Sequence, residues 1–118
     1  MGSLCLVEVY KTKDTTENIN LEVNIGYGQK SFSRLYLSGK KLGGEKSDSF
    51  SQKIGMNKNL KNERLDCIIT VHDIQEITNE TSVTFKLTGG QGEVCETLKK
   101  SVNYEGDVVF YTATIYFI

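Results

Sequence analysis

Residues 19–25 read Ile-Asn-Leu-Glu-Val-Asn-Ile, a strict alternation of apolar and polar side chains. A helix returns to the same face every three or four residues. Only an extended strand does so every second residue. The segment is therefore a strand with one face in a core and the other in water. Residues 83–87, Val-Thr-Phe-Lys-Leu, repeat the pattern. Residues 4–10 (Leu-Cys-Leu-Val-Glu-Val-Tyr) and 67–71 (Cys-Ile-Ile-Thr-Val) are denser in apolar side chains, as expected of strands covered on both faces. Residues 31–37, 93–98 and 107–118 complete the set of candidate strands.

Turn signals separate these strands: Gly26-Tyr27-Gly28, Ser38-Gly39-Lys40, Gly43-Gly44, Gly89-Gly90-Gln91-Gly92 and Glu105-Gly106. About seven or eight short strands with turns between them predict an all-β fold. The expected form is an antiparallel β-sandwich, immunoglobulin-like or jelly-roll in style, with a small closed β-barrel as the alternative. At 118 residues the chain reads as a single domain, residues 1–118, long enough to bury a core without metal or disulfide staples.

Residues 43–64 resist this reading, being polar and long. Ser49 and Gln52 are spaced as a capping box for a one-turn helix; alternatively Phe50, Gln52 and Ile54 line one face of an edge strand. The final strand is distinctive in another way. Val109, Tyr111, Ala113, Ile115 and Phe117 share one face, while Val108, Phe110, Tyr116 and Ile118 share the other with Thr112 and Thr114. Both faces are apolar, which predicts a central strand. Its second face is expected to lie under a loop, under residues 43–64, or under another copy of the protein.

A near-neutral total charge of −1 hides a dipolar chain. Residues 29–64 hold nine basic side chains (Lys30, Arg34, Lys40, Lys41, Lys46, Lys53, Lys58, Lys61, Arg64) against three acidic ones, a net +6. The acidic remainder offers a complement to that segment on a neighbouring copy. Phe32 and Tyr36 interleave with Arg34, a mixture that single-strand nucleic-acid binders use. The negative total and the scarcity of arginine disfavour nucleic acid as a partner.

No catalytic motif is visible. The single histidine, His72, shares a face with Ile68 and Thr70, and Asp73 points the other way, so it cannot orient the ring. Asp66, Asp73, Glu76 and Glu80 cluster around one expected hairpin and read as solvated turn acids. The glycine-rich stretches open no helix and so lack the free N–H groups of a phosphate cradle; they read as hairpin turns. Cys5, Cys67 and Cys95 lack zinc-site spacing and read as reduced, buried strand residues. No metal site or cofactor is expected. The N-terminus resembles no signal peptide, no apolar run approaches the roughly 20 residues of a membrane helix, and the expected location is cytoplasmic.

The rhythm from Thr70 to Leu87, then from Leu98 to Phe117, resembles the later strands of immunoglobulin-like sandwiches. The Cys…Trp…Cys spacing is missing, because the chain has no tryptophan. That similarity is one of architecture and implies no activity. The reading that follows is a non-catalytic protein-interaction or self-assembly module. Its candidate partner-binding residues are Phe110, Tyr116, Ile118, Lys40, Lys41, Lys58, Lys61 and Arg64. The alternative is a carbohydrate- or small-ligand-binding domain using Tyr27 and Tyr104, each beside a turn glycine, where an aromatic ring can stack on a sugar. The structural counterpart is a tyrosine that folds back to cap the core edge and hydrogen-bonds a backbone carbonyl.

Overall fold

A computed structural model describes residues 2–104 and 106–118. The alternating segments become strands that share one interior. In chain order these are β1 (Gly2–Tyr10), β2 (Asn18–Ile25), β3 (Lys30–Leu37), β4 (Lys40–Lys41), β5 (Lys46–Ser47) and β6 (Phe50–Met56). A one-turn helix, α1 (Asn57–Leu60), precedes β7 (Arg64–His72), β8 (Glu80–Thr88), β9 (Val94–Ser101) and β10 (Val108–Phe117). Met1 and Glu105, the latter part of an expected turn, lie outside the described residues.

The strands form a β-sandwich. A six-stranded sheet runs β1-β10-β7-β3-β4, with β5 also paired to β3, and a four-stranded sheet runs β6-β2-β8-β9. Neither sheet closes on itself among the described residues, so the barrel alternative falls. All pairings are antiparallel except that of β1 with β10, which is parallel from Gly2↔Val109 to Tyr10↔Phe117. Among the described residues no helix is long and apolar enough to cross a membrane.

The core follows the alternation. Leu21 and Val23 of β2 and Val83, Phe85 and Leu87 of β8 meet Leu65, Cys67, Ile69 and Val71 of β7. The inward row of β10 (Val109, Tyr111, Ala113, Ile115, Phe117) is buried throughout, as its sequence requires. Burying each of these larger side chains is worth about 1.5–3 kcal/mol. Tyr111 keeps its hydroxyl satisfied at 2.6 Å from Thr81 Oγ1, and burial pushes its pKa up.

Two buried amides tie the ends of the sandwich, which measures 47 × 24 × 18 Å. At one end the Gln29 amide N–H donates to Asp73 Oδ1 (2.7 Å) and to the Glu80 carbonyl (3.0 Å). Its Oε1 accepts from the N–H groups of Ile74 (2.8 Å) and Gln75 (3.1 Å). At the other end Asn57 Oδ1 accepts from the Lys13 N–H (3.0 Å), and Nδ2 donates to the carbonyls of Glu17 (2.8 Å) and Gly89 (2.9 Å). Gly89 has φ +95° and lies directly against the Asn18 carbonyl, so a Cβ there has neither conformation nor room.

Several expectations change. Residues 43–64 contain β5, the edge strand β6 and α1, so Phe50, Gln52 and Ile54 lie on a strand and no capping box forms at Ser49. The Gly26–Gly28 turn and residues 73–79 are not hairpins. Each crosses between sheets, because β2 and β3, and likewise β7 and β8, belong to different layers. Asp73 is no solvated turn acid; it is buried, held by Gln29. Of the cysteines only Cys67 is buried, while Cys5 and Cys95 are exposed on their strands, and all three are free.

Candidate interaction surface

The outer face of the six-stranded sheet is a regular grid fixed by strand register. Ser3, Phe110, Thr70 and Phe32 form one row across β1, β10, β7 and β3, and Cys5, Thr112, Ile68 and Arg34 form the next. Then come Val7, Thr114, Asp66 and Tyr36, and finally Val9, Tyr116 and Arg64. This is the second face of β10, which the sequence expects to be covered. No part of the described chain covers it. Val7 is 61% exposed, Val9 55%, Tyr116 45%, Ile68 42% and Phe32 41%. Isolated exposed apolar residues are ordinary, but here Phe32, Ile68 and Phe110 adjoin around one hollow, and Val7, Val9 and Tyr116 adjoin across β1 and β10, which makes the face a candidate contact surface.

Charge on the face is paired within the chain. Arg34 Nε lies 3.2 Å from Glu45, which holds the guanidinium above its ordinary pKa. Arg64 Nε lies 2.8 Å from Asp66, whose second oxygen accepts from the Thr114 hydroxyl at 3.0 Å. Against the first of these pairs lies a shallow hollow of about 500 Å³ lined by Phe32, Arg34, Glu45, Ile68, Thr70 and Phe110. His72 stands half-buried at its margin, edge-on to Phe32 with ring centroids 6.1 Å apart. No carboxylate, thiol or hydroxyl hydrogen-bonds its ring among the described residues.

The sequence-derived partner residues divide into two groups. Phe110, Tyr116 and Arg64 lie together on this face. Ile118, Lys58 and Lys61 lie at the Asn57 end of the sandwich, lining a cleft of about 530 Å³ with Lys11, Thr12, Lys13, Asp14 and Gln91. Lys40 and Lys41 form the short exposed strand β4. The basic segment as a whole supplies β3 to β6 and α1, one flank of the sandwich, and Lys30, Arg34 and Arg64 are already paired to acids of the same chain.

Tyr27 and Tyr104 stand at the opposite end, both exposed, and neither folds back to bond a carbonyl. That part is played by Tyr10, whose hydroxyl donates to the Gly92 carbonyl (2.6 Å) and accepts from the Gly90 N–H (2.9 Å). Tyr27 takes a positive φ of 59°, and Ile74 and Ile77 are exposed on the loop that contacts its turn. Among the described residues no group of three His, Cys, Asp or Glu side chains converges as metal ligands would.

Val7, Val9 and Ile68 were not legible as surface residues. Their segments are the apolar-dense ones, which the sequence assigns to strands covered on both faces. The structure keeps β7 central but leaves its outer row open, and puts β1 at an edge. The alternation of apolar and polar residues fails as a guide where the outer face is itself apolar.

Thiol chemistry offers a direct check of which rows face outward. Burial pushes the Cys67 thiol well above its usual pKa range, while Cys5 and Cys95 are open to solvent. Under native conditions a maleimide is expected to label two thiols per chain within minutes. The third should react only in denaturant. Mass spectrometry finding native labelling at Cys67 would contradict the assigned register of β7.

Set against known proteins, the chain matches no family profile, no curated protein and no solved structure.

Proposed function

We propose that this chain is a non-catalytic protein-interaction or self-assembly module that meets its partner through the outer face of the six-stranded sheet. The observation that carries this reading is the open apolar grid of Val7, Val9, Phe32, Ile68, Phe110 and Tyr116. Desolvating such a grid against a complementary surface is favourable at about 25 cal/mol per Å². The lysine-rich flank of β3 to β6 adds attraction for an acidic partner and accelerates encounter. Three free thiols, two of them exposed, support a reducing compartment such as the cytoplasm.

A photo-cross-linking residue placed at Ile68, and as a control at Glu22 on the outer face of the four-stranded sheet, tests this in extract of the source cells. A discrete protein adduct from position 68 and none from position 22 is the expected result. Equal or absent adducts at both positions would remove the reading.

A second reading has its own observation: Tyr27 and Tyr104 are exposed on loops at one end, with hydroxyls free of protein bonds among the described residues. This is the arrangement that stacks a sugar ring. Glycan-array binding abolished by Tyr27→Ala and Tyr104→Ala would favour that reading over the first.

A further inference from the structure

A sandwich exposes the backbone of its edge strands, and natural sheets block such edges with lysines, bulges or covering segments. Three of the four edges here are blocked. β3 is covered by β4 and β5, which carry Lys40, Lys41 and Lys46. β6 carries Lys53, and its pairing with β2 shifts register at Ile19/Asn20. β9 carries Glu96, Lys99 and Lys100. The fourth edge, β1, is nine residues long, has no lysine or proline, and keeps unbroken register with β10. Its single charge, Glu8, stands near one end of the strand, half-buried on the inward row.

The hydrogen bonding of β1 fixes which backbone groups are free. The Tyr10 carbonyl accepts from the Ile118 N–H at 3.0 Å, so Tyr10 faces β10. Alternation along the strand then turns Glu8, Leu6 and Leu4 toward β10 as well. The N–H and C=O groups of Ser3, Cys5, Val7 and Val9 point out of the open edge. Those same residues place their side chains on the open outer face.

We propose that β1 pairs antiparallel with β1 of a second copy, about a two-fold axis through Leu6, joining the two six-stranded sheets into one. The inference goes beyond the outer-face reading above: it adds a second copy of the chain as a partner at the sheet edge, a contact separate from that face. The argument for a second copy is self-complementarity. In this register Ser3 meets Val9 of the other strand and Cys5 meets Val7, so every free backbone group of the edge finds a mate. Glu8 falls opposite Leu4, so the one charge never faces its equivalent. A two-fold pairing of this kind closes, giving a dimer, and it lays Cys5, Val7 and Val9 of both copies side by side.

Sedimentation velocity on the whole chain tests this, with proline as the probe. At position 7 the missing N–H is one that points away from β10, a site where an edge strand tolerates proline. The expected result is a wild-type dimer, a dissociation constant raised at least tenfold by Val7→Pro, and no change from Ile68→Glu at the centre of the outer face. Unchanged far-UV circular dichroism shows that the variant is folded; Ser3→Pro, also an outward-facing position, replaces it if it is not. In a Cys95→Ala background a short bismaleimide should couple Cys5 to Cys5 of the second chain, because the two lie diagonally opposed. A monomer at all concentrations, or a dimer that survives both proline variants, would overturn the proposal. A monomer that still gives a protein adduct at position 68 would overturn it while leaving the interaction-module reading in place.

Discussion

Replacing Phe85 with alanine is expected to bring the protein close to unfolding at room temperature. Phe85 lies on the inward row of β8, fully buried, with Val23 opposite it on β2. Truncating a buried phenylalanine removes its transfer free energy and leaves a void that the strands on either side cannot fill, together about 3–5 kcal/mol. A domain of this size holds about 5–15 kcal/mol in total. With a urea dependence of about 1–3 kcal/mol per molar, the denaturation midpoint should fall by on the order of 2 M. Thr84→Ala, one residue along on the outer face, removes only the 2.8 Å hydroxyl contact with Thr97 and should cost under about 1 kcal/mol. Equal losses for the two variants would mean that β8 is not oriented as described.

The second large effect is expected at Asn57, a residue that carries no apolar surface of note. Its amide ties the β1–β2 loop to the β8–β9 loop through the Lys13 N–H and the carbonyls of Glu17 and Gly89. Asn57→Ala leaves the Lys13 N–H and the Gly89 carbonyl without a partner. The Glu17 carbonyl keeps its bond from the Asn57 N–H at 2.9 Å. At about 1–3 kcal/mol for each orphaned group, and less than additively for neighbours, the loss should be about 2–4 kcal/mol. Asn57→Asp sharpens the test. A buried carboxylate facing two carbonyl oxygens has its folded pKa raised above the unfolded value. Stability is then lowered at neutral pH and recovers as pH falls through the folded pKa, where the protonated carboxyl can donate again. A variant whose deficit against wild type is flat between pH 4 and 8 would contradict the buried donor geometry. Native-state hydrogen exchange should show the Lys13 amide losing protection first.

The legible part of this fold was the alternation. It located the inward rows of β2 and β8 to the residue, because one-sided burial leaves a period of two in the sequence. It did not show which strands pair, since β1 and β10 meet across nearly the whole chain. Nor did it distinguish turns within a sheet from turns between sheets: Gly26–Gly28 and Gly89–Gly92 look alike as strings, yet the first changes layer. Gln29 and Asn57 were invisible for a related reason. A buried amide differs from a loop amide only in what surrounds it. On the candidate surface Phe110 and Tyr116 were legible from the two-faced last strand and Arg64 from the basic segment, whereas Val7, Val9 and Ile68 sat in segments read as covered.

The position of β10 between β1 and β7 also governs when this molecule can come into being. During synthesis β1 emerges well before β10, the neighbour it pairs with in the sheet. The earlier strand therefore waits, unmated, through the translation of everything between. Such a topology holds back assembly of the larger layer until β10 is available and makes it slow for its length.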